Sequence, residues 1–322
     1  MRVVSLDEIK TVLPKVDLIS DIETGFASYS RGEVVVPPVG EMHFESPPGD
    51  VHIKYGYINN DEIYVIKIAS GFFHNTDMGL PNGNGMMLVF NQKTGQPIAI
   101  LQDEAYLTDV RTAVAGAICA KYISPKKVDG IGIVGTGVQA KMQLEYLKDI
   151  IDCRKAIVWG RSEASLLKYL TNMKGGEFDI TITQNIDDVI DGCQLVVTCT
   201  PAETPLISRV NPGTHITAMG SDTLSKQELD SSILLDADLV VADSKSQCEI
   251  RGEIHQAIKL NRFSMETVVE LGEIINGDKE GRTSEKQITI ADLTGVAVQD
   301  LSLIHISEPT RPLYISYAVF CL

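Results

Sequence analysis

The sequence predicts an α/β protein, a Rossmann-type doubly wound parallel sheet joined to an α+β domain. Three observations predict it. After Pro125, short apolar runs alternate with helical patterns, as in a parallel sheet covered on both faces. Residues 33–103 instead hold short β-rich runs separated by Pro, Gly and Asn turns. Finally, Gly135-Thr136-Gly137-Val138-Gln139-Ala140 follows an apolar strand and opens a helix, the setting that a dinucleotide-binding turn requires.

Ser5-Leu-Asp-Glu8 fits a capping box for a first short helix, and a second amphipathic helix follows Pro14 and stops at Gly32. Val34–Val36, Val51–Tyr57, Ile63–Ala69, Met86–Phe90 and Ile98–Leu101 then read as strands of a meander or open barrel. Thr108 caps an Ala-rich helix that runs through Arg111 to about Tyr122. Beyond it come strands at Gly130–Val134, Ala156–Trp159, Leu195–Cys199, His215–Met219 and Leu239–Ala242. Helices fill the first intervals, to about Ile151 and Met173. This pattern places an α+β domain at 1–122 and a Rossmann domain from 123 to about 291.

The 322 residues suit two domains, and 44% hydrophobic content supplies their cores. A formal net charge of -15 opposes binding to nucleic acid or to an anionic membrane surface. Cys119, Cys153, Cys193, Cys199, Cys248 and Cys321 form no C-x-x-C pair and no Cys/His cluster, so no metal site is expected and the thiols read as free in a reducing compartment. With no signal-peptide core and no apolar run of membrane-spanning length, the sequence reads as cytoplasmic.

In the glycine turn, Gly135 makes the tight bend, Gly137 admits a pyrophosphate to the backbone and Ala140 lets the helix pack on the strand. Thr136, Val138 and Gln139 complete that loop and the exposed helix N-terminus, and Thr200, at the end of an apolar strand, joins the same edge. An NAD-preferring site usually has Asp or Glu about 20 residues after the turn. Here Gly160 stands near that place, followed by Arg161 and Ser162, which suit a 2′-phosphate. NADP(H) is therefore favoured over NAD(H).

These motifs belong to a longer ordered set: Tyr64-Val-Ile-Lys67-Ile-Ala-Ser-Gly71, Thr94-Gly95, Leu107-Thr-Asp-Val-Arg111-Thr-Ala, the glycine turn, Met219-Gly-Ser-Asp222, Gly252-Glu253, Gly281-Arg282 and Thr294-Gly295-Val-Ala-Val-Gln-Asp300. Together, over about residues 1 to 301, they resemble the ornithine cyclodeaminase/mu-crystallin family. The resemblance implies a homodimer in which residues 1–122 are the substrate-binding and dimerisation domain and residues 292–301 return to it, with hydride transfer between a nicotinamide and the Cα of an amino or imino acid. It also implies Lys67 as a substrate-site lysine, Arg111 as the clamp on the substrate carboxylate and Asp222 as an acid/base carboxylate. Three activities stay open within it: an imino-acid reductase or amino-acid dehydrogenase, a cyclodeaminase that retains NAD and releases ammonia, and an NADPH-binding mu-crystallin-like protein.

Two departures bear on the choice. Many relatives carry an arginine after a proline pair, whereas Pro37-Pro38 is followed by Val39. Lys54, on one strand face with His52 and Gly56, is a candidate replacement. It stands near a position where ornithine cyclodeaminases place an acid, and a cation there repels a second substrate ammonium while attracting a second carboxylate. The other departure is the stretch 302–322, which resembles translated vector sequence or a frameshift rather than the family's closing helix.

Overall fold

A computed structural model of the chain describes residues 1–304, except Phe73, Arg262 and the side chain of Thr76. The expected non-native stretch therefore lies mostly outside the described residues, Cys321 included. Ser302, Leu303 and Ile304 are described, and they continue a buried helix, so the expected boundary at 302 falls too early. Two compact units form, one from Met1–Arg111 with the chain from Val296, the other from Thr112–Gly295.

The first unit contains β1 (Arg2–Ser5), α1 (Leu6–Val12), α2 (Leu18–Ser30), β2 (Val34–Val35), β3 (Gly40–Glu45), β4 (Pro48–Ile58), β5 (Ile63–Phe72), β6 (Gly83–Asn91), β7 (Pro97–Gln102) and the start of α3 (Tyr106–Ile123). The Ser5 box is present, with Glu8 accepting the Ser5 N–H at 2.8 Å. The sheet runs open from β1 through β7, β6, β5 and β4 to β2, with β3 paired to β4, which settles the meander against the barrel. β1 and β3 were not expected as strands. β1 is short and pairs parallel to the distant β7, and β3 is mostly exposed, so neither carries a clear apolar period.

Strand alternation separates two faces. Val65, Met87, Val89 and Leu101 are buried on one. Val3, Val35, Met42, Phe44, Tyr55, Tyr57 and Met86 are each at least 36% exposed on the other. On the buried face the chain returns as α11 (Val298–Ile304), packed on α2 and β4. A Cβ at Gly25 would collide with Ser302, and one at Gly56 would meet the Val35 carbonyl and lie 3.5 Å from Leu301. The cap of α3 also differs from expectation. Asp103 Oδ2 accepts the Leu107 N–H at 3.0 Å, and the left-handed residues Glu104 and Ala105 turn the corner, so Thr108 lies inside the helix rather than at its cap.

The second unit contains the rest of α3, then β8 (Ile131–Val134), α4 (Val138–Leu147), β9 (Lys155–Trp159), α5 (Glu163–Asn172), β10 (Asp179–Thr183), α6 (Ile186–Gly192), β11 (Leu195–Thr198), β12 (His215–Ala218), α7 (Ser231–Asp236), β13 (Leu239–Ala242), α8 (Lys245–Cys248), α9 (Gly252–Lys259), β14 (Val268–Glu270), α10 (Leu271–Ile275) and β15 (Thr289–Asp292). Its eight strands are all parallel, in the order β10-β9-β8-β11-β12-β15-β13-β14. β10, β14 and β15 escaped the sequence reading, because β10 is polar, β14 is short and β15 ends in the buried carboxylate Asp292. Since β15 pairs on both sides, residue 292 belongs to this sheet, and the first unit resumes at Val296 rather than at 292. The first division falls within α3, after Arg111, and not at 122.

Among the described residues all five cysteines are free, and no helix is long and apolar enough to cross a membrane. The one buried histidine of the sheet, His215, lies between the hydroxyls of Thr289 and Thr217, each at 2.9 Å. The Thr289 hydroxyl donates to the Ile123 carbonyl, so it accepts from His215 Nδ1, and the ring is neutral with Nε2 accepting from Thr217. Burial, helped by the Arg282 charge, pushes its pKa down to about 3. An unfolded histidine near 6.5 binds a proton that the folded ring refuses, so stability is complete above about 6.5 and falls as pH drops toward 3. Replacing His215 with Gln should flatten that acid limb by a few kcal/mol, roughly what a shift of this size permits, in urea titrations between pH 7.5 and 4.

Candidate active site

Lys67 and Arg111 come from different elements of the first unit, β5 and α3, and meet at a residue of α11. Lys67 Nζ lies 2.9 and 2.8 Å from the two carboxylate oxygens of Asp300. Arg111 Nε is 3.4 Å from Asp300 Oδ1, and Arg111 Nη1 donates to Gln299 Oε1 at 2.9 Å. All four side chains are buried. Lys54 is also buried, directly across the strand pair from Lys67, and its charge reaches Asp300. His52, Lys54 and Gly56 do share a face, as the alternation predicts.

Burial favours the neutral form of every group here. It takes the Lys67 ammonium down to about 8, aided by Arg111 and opposed by Asp300. The same burial would raise Asp300, but Lys67, Arg111 and Lys54 outweigh it and hold the carboxyl below its ordinary range. Asp103, with burial as the main cause, is raised to about 6, against the Leu107 N–H and Lys67. The cluster thus holds three cations beside one firmly ionised carboxylate and one that titrates near neutrality. Sequence reasoning quoted Asp300 within a motif but gave it no role, and it missed Asp103 and Gln299. The available signal was that Gln299 and Asp300 are polar residues inside an otherwise apolar helix.

In the second unit, a cleft at the C-terminal edge of β8, β9 and β11 is lined by Gly135, Thr136, Gly137, Gly160, Arg161, Ser162 and Thr200. Gly135 has φ 134°, and a Cβ there would sit 3.0 Å from the Cys199 carbonyl oxygen, so only glycine fits. A Cβ at Gly137 meets nothing within 4 Å, which leaves its backbone open to a ligand. Gly137 is also the N-cap of α4 and provides no side-chain cap, so the first N–H groups of that helix remain for an anion. Ala140 is fully buried, Val138 is exposed, and Gln139 lies near Gln143 at 3.3 Å.

The remaining expected residues take more constrained places. Arg161 is exposed. The Ser162 hydroxyl caps α5 by accepting the Ser165 N–H at 3.3 Å. Thr200 is held by Glu228 through both N–H and hydroxyl, at 2.6 and 2.8 Å. Asp222 follows β12 and forms an ion pair with Lys226 at 2.7 Å, a partner the sequence reading did not foresee.

Comparison with known proteins gives this arrangement a lineage. A family model described as ornithine cyclodeaminase/mu-crystallin matches residues 2–308. An uncharacterized cyclodeaminase of Sinorhizobium fredii is 38% identical over 309 residues, covering 94% of this chain and 93% of its own. The structure of an archaeal alanine dehydrogenase dimer with bound NAD superposes with a TM-score of 0.85 at 30% identity, covering 94% of this chain and 93% of that one. The Delta(1)-pyrroline-2-carboxylate reductase of Thermococcus litoralis, in complex with NADH and L-proline, gives 0.90 at 25% identity over 100% and 98% of the two chains.

Removing the shared anion from a buried cation pair should be costly. Asp300→Ala is expected to lose about 3–5 kcal/mol of unfolding free energy, measured by urea denaturation. The double change Lys67→Met with Asp300→Leu, which also removes one stranded charge, should recover part of that loss.

Proposed function

The chain belongs to the ornithine cyclodeaminase/mu-crystallin family, and we propose that it is an NAD(P)-dependent oxidoreductase acting on the C=N bond of an imino acid or the CH–NH bond of an amino acid. The observation that carries this reading is the desolvated pair of Arg111 and Lys67, gathered by Asp300. Such a site recognises a carboxylate and has a proton to exchange beside it. Relatives bound to NAD, and to NADH with L-proline, support it.

In this mechanism Arg111, oriented by Gln299 and Asp300, binds the substrate carboxylate and fixes the Cα for hydride transfer. Lys67 exchanges a proton with the substrate nitrogen. Asp222, released from Lys226, is a second acid/base group or a counter-ion for an iminium. Lys54 adds a cation that suits a second carboxylate better than a distal ammonium. When bound at the Gly135–Ala140 turn, the nicotinamide cofactor supplies or accepts the hydride. Thr136, Gly137, Val138 and Gln139 would hold its phosphates, and Thr200 lines the same cleft.

NADP(H) is the proposed preference. A side chain at Gly160 would start 2.8 Å from Thr136 and 3.0 Å from Leu166, so the carboxylate that binds an unphosphorylated ribose has no room there. Exposed Arg161 is available to a 2′-phosphate. A homodimer is the proposed assembly. The open sheet face with Tyr55, Tyr57, Phe44 and Met86 is the kind of apolar surface that a second copy covers.

The test is nicotinamide oxidation with cyclic imines, and with 2-oxo acids plus ammonia, in the presence of NADPH or NADH. Arg111→Ala should lower kcat/KM about 100-fold or more. Arg161→Ala should raise KM for NADPH about tenfold and leave NADH nearly unchanged. Ammonia release from ornithine with retained NAD, and no net oxidation, would replace this reading with the cyclodeaminase one; tight NADPH binding with no turnover would favour the mu-crystallin-like one. The rate of imine reduction should fall as pH rises through about 8, where Lys67 loses its proton, and Lys67→Met should remove that limb. In sedimentation the protein is expected as a dimer, and Tyr55→Glu with Tyr57→Glu should yield monomers.

A further inference from the structure

Glu228 lies in the chain between β12 and α7 and is fully buried, yet the proposed chemistry does not use it. Its two oxygens accept four hydrogen bonds. Oε1 takes the Thr200 N–H at 2.6 Å and the Thr200 hydroxyl at 2.8 Å. Oε2 takes the Thr198 hydroxyl at 2.8 Å and the Gly220 N–H at 2.9 Å. All four partners donate and none is a cation, an arrangement that suits an ionised carboxylate. Burial raises the carboxyl above its ordinary range, and these bonds pull against that rise.

The backbone of Glu228 is fixed as firmly. Its N–H donates to Glu253 Oε1 at 2.7 Å, and its carbonyl accepts from Leu206 and Ile207 at 2.7 and 3.1 Å. Close packing enforces the spacing, because a Cβ at Gly220 would meet the Thr200 carbonyl and come 2.5 Å from Glu228 Oε2. One side chain therefore clamps the loop after β11 to the loop after β12, which leads to Asp222.

In a doubly wound sheet the dinucleotide spans two halves about the strand that carries the glycine turn. β9 and β10 lie on one side of β8, while β11 and β12 lie on the other. On that rule the second side would hold the nicotinamide half. We propose that Glu228 is a positioning residue of the cofactor cleft, which sets the wall of the nicotinamide half and, as an interior negative charge, favours the oxidised, cationic ring over the reduced, neutral one. The inference rests on the nicotinamide cofactor proposed above and assigns its redox-state preference to a residue that does not line the cleft.

The experiment is binding rather than turnover. Trp159 is the single tryptophan and lines this cleft, so its quenching, checked by calorimetry, reads the Kd of the oxidised and reduced cofactor in the full chain. Glu228→Gln keeps the size but presents an amide N–H to donors. It should weaken the oxidised form roughly tenfold more than the reduced form, as expected for losing one charge at short range in a partly shielded interior. An equal loss for both forms, or no loss, overturns the proposal and leaves Glu228 a purely structural residue. If Glu228→Gln does not fold, Glu228→Asp carries the test, because it keeps the charge while shortening the reach. Weaker binding with the wild-type ratio of the two constants within about twofold supports the proposal, and a ratio shifted toward the reduced form overturns it. Wild-type protein that binds neither form would sink the cofactor reading itself, a result distinct from an unaltered ratio in the variants.

Discussion

The first unit depends on one carboxylate. Asp300 stands 233 residues from Lys67 in the chain and 2.9 Å from it in space. Without an anion at that point, Lys67 and Arg111 would be two buried cations in the same small volume, an arrangement no packing energy of ordinary size could hold. With it, α11 is tied to β5 and α3 by charge as well as by the contact of Ser302 with Gly25. The proposed recognition of a carboxylate and the fold thus share one interaction. The two cations are held in place because an internal carboxylate neutralises part of their charge.

The second unit uses carboxylates differently, against backbone N–H groups rather than cations. Asp292 accepts the Ile254 N–H at 2.8 Å, Glu253 accepts those of Glu228 and Leu229, and Asp243 accepts that of Gly295 at 2.7 Å. These acids tie β15, α9 and the segments after β11 and β12 in series. Such groups are expensive to bury, and burial raises Glu253 to about 8. What they provide is direction. A carboxylate with two acceptor oxygens can fix two loops at once, where an apolar side chain would let them slide.

How legible this was in the sequence follows from the range of the forces. The glycine turn at 135–140 and the Ser5 capping box are local, and their residues name their own geometry. Strands β5, β6, β8 and β12 carry apolar runs and were visible. β15 was not, because Asp292 at its end looks like a loop residue until Ile254, 38 positions away in sequence, supplies the donor. A lysine in a strand carries no local sign of which face it takes, and only the strand register places Lys54 and Lys67 opposite each other inside. The order of motifs identified Lys67, Arg111 and Asp222 as a set, but it could not show that Asp300 binds two of them or that Lys226 binds the third. The cap of α3 fell at Asp103 because the preceding left-handed pair turns the chain, a feature that no helix-propensity argument anticipates.

The two units therefore offer opposite means of recognition, and this bears on the proposed selectivity. The cleft at Gly137 offers backbone N–H groups and open space, a geometry that suits an anion and that water can partly replace. Around Arg111 the cations are desolvated, and their attraction for an anion is little weakened by solvent. Arg111 and Lys54 already face the Asp300 carboxylate, and sites built around buried polar groups reject analogues that lack the matching group far more strongly than apolar pockets reject a missing methylene. On the proposed reading, discrimination should accordingly be steep for a carboxylate on the ligand.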